Sequence, residues 1–316
     1  MRPLDAAPGP LTRKGVLMHL RWVEADRLRL DPSGRLLVVH ADHPAHRARM
    51  LDARTGSPVG PGVSPEDGSV CVPLIPPPGW GGWGRPLIAE VCGTLRLWEA
   101  TTGRVLREHP YPGCIDEPLD AVSGHLYGRP ALFVFGTHRS TGEWGWEACS
   151  LSGGTLLASQ GFHMTYCSGD VRIALLDGLL FTPRASWGWI GEDVVDVYNL
   201  QVVRTGDGQV MGEVDDVAPD DFHVAQTSRG PVLAANGRLL ALPGLEQVAR
   251  YPGLGSPVVA DVGGDVVVVT INDLGGSIRL WRPLERDAPV ATWTSPGGRL
   301  ALDVGIASDT VFIALG

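Results

Sequence analysis

A repeat of short alternating strands and glycine turns, with a mean period of 46 residues, predicts an all-β chain. The expected architecture is a seven-bladed β-propeller of four-stranded antiparallel blades, with the last blade closed by the N-terminal segment. Three observations carry it: a strand–turn–strand cadence that recurs, a series of anchors at near-regular spacing, and an apolar run ahead of each anchor.

The cadence is clearest in LRLWEATTGRVL (95–106), where an alternating strand ends at Trp98-Glu99 and a turn closed by Gly103 starts the next. MLDARTGSPV (50–59) and IRLWRPLERDAPVATW (278–293) repeat it. Taking the Glu99 position as anchor gives Asp52, Glu99, Ser150, Asn199, Pro243 and Arg282, which stand 47, 51, 49, 44 and 39 residues apart. Apolar runs occupy 35–41, 85–91, 131–136, 179–183, 231–236, 265–270 and 309–315. In one blade the four strands, a to d from the inside outward, read GSVCVPLI, RPLIAEV, TLRLWEA and RVLREH. Such a sheet cannot cover both its faces alone, so neighbouring blades must stack and the ring must close.

Closure is legible at the two ends. The last run, 309–315, has no further strand after it, while PLDAAPGPL (3–11) aligns with MLDARTGSPV, and Asp5 precedes Asp52 by 47 residues. Residues 1–20 are therefore expected to complete the last blade with 297–316, making 1–316 a single domain. Glycine or proline interrupts almost every window long enough for an amphipathic helix, which argues against a parallel α/β sheet. A pair of β-sandwiches or an open solenoid fits the period less well.

Composition sets further limits. The chain has 316 residues, 44% of them hydrophobic, enough for a substantial core. A net charge of −9 with no basic run makes nucleic-acid or anionic-membrane binding a poor expectation. Lys14 is the only lysine among 26 basic residues, a bias that reads as a GC-rich bacterial genome. Five scattered cysteines without a CxxC suggest neither a disulfide framework nor a zinc site. Residues 1–20 lack the continuous apolar core of a signal peptide and no 18-residue apolar stretch occurs, so the expectation is a soluble protein of the reducing cytoplasm.

The motif LRLWEATTGRV, with IRLWR at 278–282, resembles the WD-repeat family, Trp98-Glu99 standing where that family has Trp-Asp. The resemblance implies a propeller that assembles other proteins. The Asp-x-x-Thr-Gly turn, as at 52–56, is shared with quinoprotein-like propellers.

Candidate sites fall mainly on the side of the ring that carries the b–c loops, which are unequal in length. Trp144 and Trp146, and Trp187 and Trp189, form i, i+2 pairs in adjacent blades, with Arg139 and Arg184 beside them. Tryptophan and arginine are the residues that dominate protein interfaces, so this is the expected partner-binding patch. Trp80 and Trp83, in IPPPGWGGWG on the opposite side, could dock a partner too. His40, His43 and His46, with His138 on the same side, have the side-chain chemistry of a metal site, though a loop fixes no ligand geometry. The acidic run 213–221 is expected to be a solvated charge run, since its spacing is not that of a calcium loop.

No nucleophile elbow, P-loop or zinc-protease motif occurs. The expected function is a non-catalytic interaction platform that binds protein partners and needs no cofactor. The alternative is a metal-dependent lyase or hydrolase, or a small-ligand binder, using the histidines or the central channel.

Overall fold

The computed structural model describes residues 18–30, 35–40, 47–74, 85–151, 154–162, 171–190, 193–253, 255–272, 276–307 and 309–316. In chain order its strands are β1 (His19–Glu24), β2 (Arg27–Leu30), β3 (Arg35–His40), β4 (Arg47–Asp52), β5 (Val70–Leu74), β6 (Leu87–Cys92), β7 (Thr94–Glu99) and β8 (Arg104–Pro110). Then come β9 (Ile115–Leu126), β10 (Arg129–His138), β11 (Trp144–Ser150), β12 (Leu156–Phe162), β13 (Ala174–Leu176), β14 (Leu179–Ile190), β15 (Asp193–Arg204) and β16 (Val210–Asp215). The last ten are β17 (Phe222–Thr227), β18 (Gly230–Ala235), β19 (Arg238–Ala241), β20 (Glu246–Arg250), β21 (Pro257–Val262), β22 (Asp265–Ile271), β23 (Ser277–Trp281), β24 (Ala291–Thr294), β25 (Ala301–Ala307) and β26 (Thr310–Leu315).

This is an all-β propeller built from four-stranded antiparallel blades. Five sheets, β5–β8, β9–β12, β13–β16, β17–β20 and β21–β24, have the complete form. A sixth, β2–β3–β4, has three strands, and its fourth segment, 57–63, is held only by bridges at Ala48–Val63 and Leu51–Pro58. Pro58 and Pro61 lack the N–H groups a continuous ladder needs there. The remaining sheet, β25–β26–β1, is mixed.

That closing sheet corrects the expectation of seven four-stranded antiparallel blades: six blades are antiparallel, and the closing sheet is a three-stranded mixed one. β1 runs parallel to β26, with His19 opposite Thr310 and Glu24 opposite Leu315. The two-residue link Ala25–Asp26 turns β1 straight into β2, so β1 runs opposite to that inner strand, as an outermost strand does. Here it lies directly on a middle strand instead, and the pairing comes out parallel. The closing strand is thus 19–24; the expected segment 3–11 lies outside the described residues.

Apolar clusters bridge neighbouring sheets all the way round. One joins Leu87 and Ala89 to Leu132 and Val134; another joins Phe133 and Phe135 to Leu180 and Val203. Phe312 and Ala314 of the closing sheet pack on Leu28 and Leu51. The middle strands are buried on both faces, Ala131–Phe135 completely, which is why they read as unbroken apolar runs. Each buried phenylalanine there contributes about 2–3 kcal/mol.

The c–d turns share one geometry: an N–H bonds back to a carbonyl four residues earlier. The pairs are Gly56 to Asp52, Gly103 to Glu99, Gly154 to Ser150, Gly208 to Arg204 and Leu245 to Ala241, at 2.7–3.1 Å. The glycines have φ between 57° and 73°, the left-handed region they enter without strain. Two anchors are thereby corrected: the fourth turn starts at Arg204, not Asn199, and the fifth at Ala241, not Pro243. Among the described residues no helix is long and apolar enough to cross a membrane.

Candidate functional site

Inside the ring, the innermost strands carry charges that their neighbours consume. Asp120, fully buried on β9, accepts the N–H of Ile173 at 2.7 Å; Asp303 on β25 accepts that of Leu28 at 2.8 Å; His223 Nδ1 on β17 accepts that of Val259 at 3.3 Å. Each acceptor sits one sheet before its donor. An inner strand's exposed edge is thus capped by the preceding blade, which satisfies buried N–H groups that no ladder reaches.

Two ion pairs then cross the channel. Arg29 of the first sheet reaches Asp120 of the third at 2.6 Å, and Arg172, leading into β13, reaches Asp303 at 2.7 Å. The Arg172 side chain is 15% exposed and Asp303 3%. Burial opposes the Arg172 charge, but Asp303, Asp220 and Asp120 outweigh it and raise its pKa. Asp26, Arg27 and Leu302 line a recess beside these pairs. The chain's own side chains therefore pair across the middle of the ring.

His223 stands among these charges as a neutral acceptor. Burial, aided by Arg172 and Arg29 and opposed by Asp303, brings its pKa down to about 4. An unfolded histidine titrates near 6.5, so between those values the unfolded chain holds the extra proton. Stability is therefore expected to fall as pH drops from about 6.5 to about 4, by roughly 2 kcal/mol after discounting for channel water. Urea midpoints across that range check it. His223→Gln, which cannot take up the proton, should flatten this part of the profile.

On the b–c side the expected patch divides. Trp144 and Trp146 are buried, 8% and 4% exposed, with Trp144 edge-on to Phe135 at 5.8 Å and Trp146 tilted on Phe133 at 6.0 Å. They fill the space between the third and fourth blades and present no face to a partner. The expected long loop 136–146 is mostly strand, turning tightly from His138 to Glu143. Arg139 is 72% exposed and 3.8 Å from Asp116. His138 lies 3.9 Å from the buried Glu147, and its Nε2 has no hydrogen-bond partner.

The expected loop 182–193 is also strand. β14 and β15 pair without interruption from Leu179–Arg204 to Ile190–Asp193, twelve pairs against the seven that join β10 to β11. Their c–d ends coincide with those of the neighbouring blade, so the surplus lies at the b–c end. At about 3.3 Å per residue, a two-stranded ribbon of residues 186–190 and 193–197 projects roughly 16 Å further. Trp187 and Trp189 lie on this ribbon, opposite Asp196 and Val194. Arg184 at its base is held by Glu213 at 2.6 Å.

The acidic run is partly structural. Glu213 also accepts from Gln201, Asp215 offers its carbonyl to Arg238, and Asp216 bonds Asn199 and Asn236. His40 ends β3, whereas His43, His46, Trp80 and Trp83 lie outside the described residues. Among the described residues no group of three or more His, Cys, Asp or Glu is arranged to hold a metal.

Trp98 and Trp281 act within the blades: their indole N–H groups bond Glu90 at 2.7 Å and Thr270 at 3.0 Å in their own sheets. The channel charges carry no legible sequence signal, because the capping positions hold Asp, His and Asp with no constant spacing. The alternation of capping acceptor and capped N–H becomes visible only once the inner strands are aligned.

No family model matches the chain, and no curated protein matches it. Solved structures do. A hydrazine synthase of Kuenenia stuttgartiensis is similar at 13% identity and a TM-score of 0.54, over 81% of this chain and 82% of that one. The computationally designed Ika8 protein is similar at 11% identity and 0.53, over 99% and 98%. Raptor of Chaetomium thermophilum gives 8% and 0.57 over 91% of this chain, which spans only 26% of Raptor. These likenesses show the propeller fold and nothing finer.

Proposed function

We propose that this chain is a non-catalytic propeller that serves as a protein–protein interaction platform, binding through the b–c side. The observation that supports the reading is the β14–β15 ribbon, whose twelve pairs carry positions 187 and 189 past the seven-pair hairpin of the preceding blade. Rigid tryptophans on a projecting element are the usual anchors of a protein interface. The channel supports the same reading, since its crossing ion pairs leave little room for a substrate.

In this reading the closing sheet counts as a seventh blade, and the chain is a divergent relative of the WD-repeat or quinoprotein-like propellers. Cys71, Cys92, Cys114 and Cys149 are all free, which fits a reducing cytoplasm. Arg139 and Arg184 border the interface, while the metal reading of His40, His43, His46 and His138 gains no support from His138, which faces Glu147.

The test replaces both ribbon tryptophans. Trp187→Ala together with Trp189→Ala is expected to abolish capture of the partner from the native host, with the melting temperature within about 2 °C of wild type because the ribbon lies outside the blade cores. Undiminished capture would remove these residues from the interface.

A further inference from the structure

An asparagine followed by glycine is chemically labile, because the next backbone nitrogen meets no side chain on its way to the amide carbon. The chain has three asparagines, Asn199, Asn236 and Asn272, and only Asn236 precedes a glycine. Asn236 and Gly237 form the whole link between β18 and β19, with Ala235 opposite Arg238. Both have positive φ, 45° and 68°, as this kind of two-residue hairpin requires. Asparagine is one of the few residues that enter the left-handed region, and a Cβ at Gly237 would come 3.0 Å from the Tyr251 carbonyl oxygen. The hairpin thus selects the labile pair.

The Asn236 amide also joins two blades. Its Nδ2 donates to the Asp216 carbonyl at 2.8 Å, just past the end of β16, and lies 3.4 Å from the Asp216 carboxylate. Asp216, itself at φ 62°, donates its N–H to the Asn199 side chain at 3.3 Å, and Arg238 donates to the Asp215 carbonyl at 2.9 Å. A neutral donor therefore meets a carbonyl and a carboxylate of the preceding blade.

We propose that Asn236 is a deamidation site whose conversion to a carboxylate loosens the joint between the fourth and fifth blades. The Gly237 nitrogen attacks Asn236 Cγ. A C–N bond forms, the bond to the side-chain nitrogen breaks, and ammonia leaves with the proton that Gly237 gives up. Water then opens the cyclic imide at one of its two carbonyls, giving aspartate or the isomer whose main chain runs through the former side chain. The bond to Asp216 holds the amide in the closed turn, so the reaction draws on molecules in which this hairpin has opened. Either product loses the donor and sets a negative charge against Asp216. The isomer also adds a main-chain atom to a turn that fits only two residues. The link is a b–c connection, so the new charge falls on the side proposed for partner binding, although the chemistry does not depend on that reading.

The full chain, incubated in warm, mildly alkaline buffer, is sampled over days and mapped by peptide mass spectrometry. The mass gain of amide-to-carboxylate conversion should appear at 236–237 about tenfold faster than at Asn199 or Asn272, and faster still in urea below the unfolding transition. Asn236→Gln, whose extra methylene disfavours the ring, should abolish it. Asn236→Asp supplies one product in advance and should lower the melting temperature by on the order of 3 °C at low salt and by less at high salt. Asn236→Gly removes the donor without adding charge and should show no such salt dependence.

A gain at 236–237 no faster than at the other two asparagines overturns the proposal. So does an Asn236→Asp variant that melts with the wild type, since the joint would then not depend on the amide.

Discussion

Asp303→Ala is expected to destabilise the ring by roughly 4 kcal/mol, lowering the melting temperature by on the order of 8 °C. Asp303 joins three elements at once. Its carboxylate bonds Arg172 at 2.7 Å, caps Leu28 at 2.8 Å across the closing interface, and bonds its own strand at Val304, also at 2.8 Å. Removing it leaves a guanidinium that is mostly buried and two N–H groups without an acceptor. Breaking one side of a buried pair costs more than the pair contributes, because the remaining charge keeps its desolvation penalty. Asp303→Asn keeps an oxygen for Leu28 and should recover about 1 kcal/mol. Urea denaturation measures both. A loss below about 1 kcal/mol for Asp303→Ala would mean that water already screens the pair and that apolar packing alone closes the ring.

Glu147→Ala should cost a similar amount, about 3–5 kcal/mol, through different donors. Glu147 is 1% exposed in the middle of β11. It accepts the N–H of Cys114 at 2.8 Å, that of Ile115 at 3.1 Å, and the Tyr111 hydroxyl at 3.1 Å, fixing the chain where it enters β9. Burial first, then Cys149 and Glu147, holds the Tyr111 hydroxyl well above its ordinary pKa, so it stays a donor. Gly113 lies so close to the Glu147 carboxylate that a side chain there would displace it. Alanine at 147 orphans three donors, two of them on the buried Tyr111 and Ile115. Equilibrium unfolding gives the magnitude, and amide exchange at Cys114 and Ile115 should accelerate selectively. Unchanged protection at those two amides would show that another acceptor takes over.

The sequence is most legible where burial is least ambiguous. Middle strands are covered on both faces, so β3, β6, β10, β14, β18, β22 and β26 all fall on the apolar runs. The c–d turns are legible where glycine supplies the left-handed residue. They mislead in the fourth blade, where the third strand is twelve residues long and Asn199 lies within it, and in the fifth, where Leu245 takes the glycine's place at φ 60°. Blade closure was half legible: an N-terminal segment does join the last strand, but its direction follows from the short link into β2. The candidate patch divides for a related reason. An i, i+2 tryptophan pair reads the same whether it faces solvent or a neighbouring blade; Trp144 and Trp146 face the neighbour. The inner strands were opaque, because each solves a local pairing problem with a different side chain.

The central claim is that the β14–β15 ribbon holds a protein partner. Affinity purification of tag-exposed protein from its native host at low salt, wild type beside the Trp187→Ala, Trp189→Ala variant, tests it most directly, with mass spectrometry and metal analysis of the same eluates. The account expects a stoichiometric protein partner with the wild type, none with the variant, and no stoichiometric metal. A bound metal or small molecule without a protein partner would contradict it and return attention to the histidines and the channel.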